Sequence, residues 1–196
     1  MIITSSEFGA FEAHVDEENS PRERECQAYL MYAAELLIPG SPTQIVGVPE
    51  DRNFFGETDL VIAADIRDDL NRVARHAFIW ELKAPQCHLF EIDTKQRCRP
   101  TADFMQGENQ LLHYFHEASG NGRFRERMGV IDQDNIHIGG LVIGTHERML
   151  KGSNEVHRAE MALRVREKYL YRAHRIRVLT WDTILDFVRP IDPLPG

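Results

Sequence analysis

Apolar side chains recur at helical spacing through SPRERECQAYLMYAAELLIPG, where Cys26, Leu30, Ala33, Ala34 and Leu37 make one face. Ser20 stands at the N-cap position, Pro21 at the first helical position and Glu23 completes a capping-box pattern, while PGSP stops the helix. The period then shortens to that of strands. QIVGV reads as a short strand, TDLVIAADI as a core strand and HAFIWELKA as a third strand bounded by Pro85. The polar connector RDDLNRVAR carries no convincing crossover helix, so the second and third strands are expected to pair antiparallel, with Asp65 near His76.

Further on, CHLFEIDTKQRCRPT reads as a loop and TADFMQGENQLLHYFHEA as a helix with Thr101 and Asp103 near its start. SGNGRFRERMGVIDQDNIH has the composition of a surface excursion, and IGGLVIGT that of a buried strand. NEVHRAEMALRVREKYLYRA is a basic amphipathic helix, RIRVLT a strand and WDTILDFV a closing helix capped by Thr180 or Asp182. Helices and strands mixed around one sheet predict an α/β domain with a mixed sheet over residues 20–190. Residues 1–19, acidic and without evident period, are expected to be an N-terminal arm, and residues 191–196 a C-terminal tail.

Composition narrows the classes. At 196 residues and 42% hydrophobic content, the chain has enough apolar material for one core. No apolar run reaches the roughly 18 residues needed to span a bilayer, and the N-terminus lacks a secretory pattern, so a cytoplasmic protein without a membrane partner is expected. Three cysteines at irregular spacing suggest free thiols. The net charge of -8 is unevenly spread: residues 1–70 hold 4 basic and 15 acidic side chains, whereas residues 146–178 hold 9 basic and 4 acidic. A polyanion would therefore meet the C-terminal half.

The chemistry concentrates in FIWELKAPQ. Strand alternation puts Phe78, Trp80 and Leu82 on one face and Ile79, Glu81 and Lys83 on the other, so two charges are carried into the interior. The hairpin sets Asp59 opposite a position near Leu82, beside Glu81 and Lys83. Two carboxylates converging there need a cation between them, and hard oxygen donors, including the Leu82 carbonyl, suit Mg²⁺. Lys83 would orient or deprotonate a water, or offset charge on a phosphate. The competing reading of these residues is a structural ion pair at a strand edge.

These segments resemble the D…E-x-K core of the PD-(D/E)XK nuclease superfamily, and their surroundings are similar to the Shedu-type nuclease domain of bacterial antiphage defence. The likeness extends through RECQAYLMYAAELL, GENQLLHYF, LVIGTHER and RIRVLTWDTIL, from about residue 20 to 188. It implies a restriction-endonuclease-like fold, with Asp59 and Glu81 as metal ligands, Lys83 as catalytic lysine, Gln110 as the glutamine placing substrate or lysine, and Glu25 as the N-terminal helix glutamate, with Glu23 its rival. Thr58 replaces the proline that often precedes the aspartate.

The resemblance thus implies a DNA endonuclease dependent on Mg²⁺, with Mn²⁺ as a substitute. Lys95, Arg97 and Arg99 are expected to touch DNA phosphates. One site per chain cuts one strand, which favours a homo-oligomer, and a regulatory protein partner would supply the trigger. The alternative is an inactive nuclease-fold module that binds nucleic acid or a protein.

Overall fold

The hairpin lies at the centre of a five-stranded sheet. The computed structural model describes residues 2–40, 42–49, 60–153 and 155–190. Along the chain run α1 (Ser5–Asp16), α2 (Glu23–Gln27), α3 (Ala34–Leu37), β1 (Pro42–Pro49), β2 (Leu60–Arg67), β3 (Val73–Leu82), β4 (Phe90–Ile92) and β5 (Cys98–Pro100). They are followed by α4 (Ala102–Gly120), α5 (Gly122–Met128), β6 (Ile136–Val142), α6 (Val156–Arg166), β7 (Arg177–Leu179) and α7 (Trp181–Val188). The sheet order is β1-β2-β3-β6-β7; β1, β2 and β3 are antiparallel neighbours, and β6 and β7 continue the sheet in parallel. The fold is α/β with a mixed sheet, as the alternating elements predict.

Asp65 pairs with Arg75 and Ala64 with His76, one residue from the expected register. The two faces divide as alternation requires. Phe78, Trp80 and Leu82 join Leu60 and Ile62 in a core closed by Phe11, Leu30, Trp181 and Ile184. Val61 and Ile79 belong to the opposite core, with Leu111 and Tyr114 of α4 and Phe124 and Met128 of α5. Where β3 meets β6, a Cβ on Gly139 would lie 2.2 Å from Trp80 Nε1, so the absence of a side chain there lets the indole lie against the strand.

Five stretches depart from the sequence reading. The expected N-terminal arm is the capped helix α1: Thr4 and Glu7 form a capping box, and Phe8, Phe11 and Val15 are buried. Their spacing places one apolar stripe inward while the acids face outward. The helix expected from Ser20 begins only at Glu23 and breaks into α2, a 3₁₀ turn at Leu30–Ala33 and α3. The Arg22 N–H donates to Gln86 Oε1 at 3.0 Å, a tertiary bond in place of the local cap. Part of the expected basic loop is the hairpin β4–β5, and the expected surface excursion contains α5, capped by the Asn121 side chain. The basic helix ends early, passing at Glu167–Tyr171 into a wide π turn and then a 3₁₀ turn at Arg172–His174.

Candidate functional site

Glu81 is 1% exposed although charged, and its ammonium neighbour reaches only slightly further out: the Lys83 side chain is 14% exposed, and its Nζ donates to Glu81 Oε1 at 2.6 Å. The pair sits at the end of β3 on the face of Ile79, so the charges occupy the side predicted for them. The backbone of Lys83 is clamped from both directions. Its N–H donates to the Val142 carbonyl at 2.8 Å, and its carbonyl accepts the Trp181 indole N–H at 2.7 Å. Trp181, fully buried, thus fixes the residue after the hairpin core from the far side of the sheet. Sequence reasoning gave Trp181 no role; its place at the first turn of α7 carries no signal beyond its size.

Helix α4 crosses this face. At Gly107 a Cβ would stand 3.4 Å from Lys83 Cγ and 2.9 Å from Leu141 Cδ1, so the helix backbone itself leans on the lysine stem. Gln110 follows one turn later. It is partly buried, and its Oε1 is enclosed without a hydrogen-bond partner among the described residues. An enclosed amide oxygen is costly to leave unsatisfied, so Gln110 is a candidate acceptor for a ligand.

Just past the strand, burial pushes the Cys87 thiol up to about 11; the Asp103 and Glu23 carboxylates reinforce this and Lys83 opposes it. Glu23, at the start of α2, thus lies near enough to act on the Cys87 thiol, as Lys83 does. Glu25 does not show this connection: it is 38% exposed and pairs with Arg22 at 2.9 Å, whose hydrogen bond holds its carboxyl below the usual range. Asp59 lies outside the described residues. The last described pair of the hairpin is Leu60 with Trp80. Leu82 is buried and pairs with Val142.

The basic hairpin is largely self-neutralised. Arg97 pairs with Asp93 at 2.9 Å and Arg99 with Glu91 at 2.8 Å. The Lys95 backbone N–H is taken by Asp93 Oδ1. Among the described residues no three His, Cys, Asp or Glu side chains gather as a metal cluster. The donor contributed by Glu81 is a carboxylate oxygen, whose hardness fits Mg²⁺ or Mn²⁺ better than a thiophilic ion. The three cysteines are free.

A family model described as Shedu protein SduA, C-terminal, matches residues 20–185. The chain belongs to this family. The Shedu match takes in Glu81, Lys83 and Gln110 together with the whole sheet, and α1 precedes it. No curated protein and no solved structure matches the chain. Among the described residues no helix is long and apolar enough to cross a membrane.

Proposed function

We propose that this Shedu chain is a metal-dependent endonuclease that hydrolyses DNA phosphodiester bonds in bacterial defence against phage or other foreign DNA, on a restriction-endonuclease-like fold. The observation that carries the reading is the Glu81–Lys83 pair: a nearly inaccessible carboxylate on a central strand, held at 2.6 Å by the lysine just past the strand's end. Burying two charges is expensive, and a pair of apolar side chains would serve the core as well or better. Retaining the charges, with an enclosed and unsatisfied amide oxygen at Gln110 one turn beyond the α4 contact with Lys83, fits a site better than it fits a structural brace.

In this reading Asp59 and Glu81 hold the divalent cation, and the Leu82 carbonyl completes the protein's share of the ligands. When bound, Mg²⁺ or Mn²⁺ supplies Lewis-acid stabilisation of charge on the phosphate. Lys83 directs a water toward the phosphorus and offsets negative charge as it develops. Its aim is fixed because Trp181 and Val142 hold its backbone and α4 leans on its stem. Gln110 positions the lysine or the substrate. A glutamate of α2 supports the site, Glu25, which pairs with Arg22, or its rival Glu23, whose charge reaches Cys87.

An inactive module that binds nucleic acid or a protein partner is the second reading, favoured by the acidity of residues 1–70. Plasmid nicking with Mg²⁺ or Mn²⁺, set beside Lys83→Ala and Glu81→Ala, separates the two. The enzyme requires cutting that both substitutions abolish; the module gives none.

A further inference from the structure

A groove of about 590 Å³ runs between the C-terminal end of α6 and the edge strand β7. Arg164, Lys168, Arg172 and Arg177 line it against a single carboxylate, Glu167. Arg164, Lys168 and Arg172 follow at four-residue intervals, so three like charges stand in one row, an arrangement that mutual repulsion opposes. Neighbouring cations are treated otherwise: Arg166 pairs with Glu108 at 2.6 Å and Arg158 with Glu155 at 2.9 Å. Among the described residues, none of Arg164, Lys168 and Arg172 makes an ion pair.

The backbone is shaped to the same end. The π turn at Glu167–Tyr171 widens the helix where it lines the groove, and such turns are frequent at functional sites. Tyr171 anchors that turn by hydrogen bonds with Glu108 and Arg166. Arg177 lines the groove with its guanidinium already engaged, donating to the Leu36 carbonyl at 2.5 Å and lying over the Trp80 ring. β7 lies two strands from β3, roughly 10 Å at the usual strand spacing.

We propose that this groove holds the sugar-phosphate backbone of DNA, without reading bases, as a surface separate from the Glu81–Lys83 pair. The choice of ligand rests on the nuclease reading above. The row from Arg164 to Arg172 covers about two helical turns, on the order of 10 Å, which matches about three nucleotide steps of about 3.4 Å, so each cation meets its own phosphate. An acidic peptide is the rival occupant.

Fluorescence anisotropy of a labelled short duplex in chelator, titrated with salt, tests the groove without any cleavage. For Arg164→Gln/Lys168→Gln/Arg172→Gln the slope of log affinity against log salt should fall by about 2 to 3, at about 0.9 per phosphate contact, with affinity down at least about tenfold. The single exposed substitution Lys168→Gln should lower the slope by about 0.9 and guards against misfolding of the triple variant. Unchanged slope and affinity in both groove variants would overturn the proposal, as would labelled oligoglutamate binding through these residues while DNA binding ignores them. Absence of plasmid cleavage with this binding pattern intact would refute the nuclease reading and leave the groove standing.

Discussion

Gly107 of α4 rests against the side chain of Lys83: a Cβ added at Gly107 would lie 3.4 Å from Lys83 Cγ and 2.9 Å from Leu141 Cδ1. The helix can approach the sheet this closely only because the residue has no side chain. Gly107→Val is expected to force α4 away from β3, destabilising the fold by about 1–3 kcal/mol, the usual range for overpacking. It should also lower plasmid cleavage more than tenfold by loosening the lysine, roughly 1.4 kcal/mol of transition-state stabilisation. Denaturant midpoints and cleavage rates measured on the same preparations check both.

The buried ion pair gives stability and activity opposite demands. Lys83→Met leaves the Glu81 carboxylate enclosed without its ammonium and should cost about 3 kcal/mol. The double substitution Glu81→Leu/Lys83→Met removes both charges and should recover most of that loss, because buried pairs are commonly no better than apolar side chains of similar volume. Urea unfolding of the three proteins decides this, and the double variant should be folded and inactive.

The helix α1 should behave as core. Phe11 is fully buried, stacks on Tyr29 with ring centroids 4.7 Å apart and meets Trp181 edge-on at 6.2 Å. Phe11→Ala is expected to cost about 3–5 kcal/mol. A mobile acidic arm would tolerate the change within about 0.5 kcal/mol. Thermal unfolding distinguishes them.

Acid should destabilise the protein through two stacked histidines. His76 Nδ1 and His137 Nε2 are 2.8 Å apart between β3 and β6, and only one hydrogen can lie between them while both rings are neutral. Burial, with the charges of His76 and Arg175, pushes His137 down to about 4, and burial also lowers His76. Between about pH 6.5 and 4 the unfolded chain therefore takes up protons that the folded chain refuses, so stability falls as pH falls through that window. The loss should be on the order of 1–2 kcal/mol, allowing for the solvent that reaches the rings, and His137→Asn should flatten it. Carboxylates held low by arginines, such as Asp65 beside Arg75, lose their contribution at lower pH and leave this window to the histidines.

The hairpin and its alternation were legible because a strand buried on both faces leaves little freedom: once Phe78, Trp80 and Leu82 take one face, Glu81 and Lys83 must share the other. The single-residue difference in register came from the short turn at Asp68–Arg72, closed by Asp68 bonds to the backbone of Leu70 and Arg72. Helix α4 was legible through Thr101, whose hydroxyl accepts the Phe104 N–H. Helix α1 was missed although Phe8, Phe11 and Val15 have helical spacing and Thr4 with Glu7 forms a capping box; the surrounding acids masked a weak apolar stripe. Trp181 and Gly107 could not be read as parts of the site, since both act through contacts made only when distant segments meet. The pairing of Glu25 with Arg22 likewise depends on the tertiary course of the chain before α2 and is not read from spacing alone.

The most direct test of the central claim is the cleavage of supercoiled plasmid by wild type, Lys83→Ala and Glu81→Gln in Mg²⁺ and in Mn²⁺. Nicking by the wild type is expected, and both substitutions should reduce it at least about a hundredfold, equivalent to about 2.7 kcal/mol of lost transition-state stabilisation. Equal cutting by all three proteins, or none by the wild type under either metal, would contradict it.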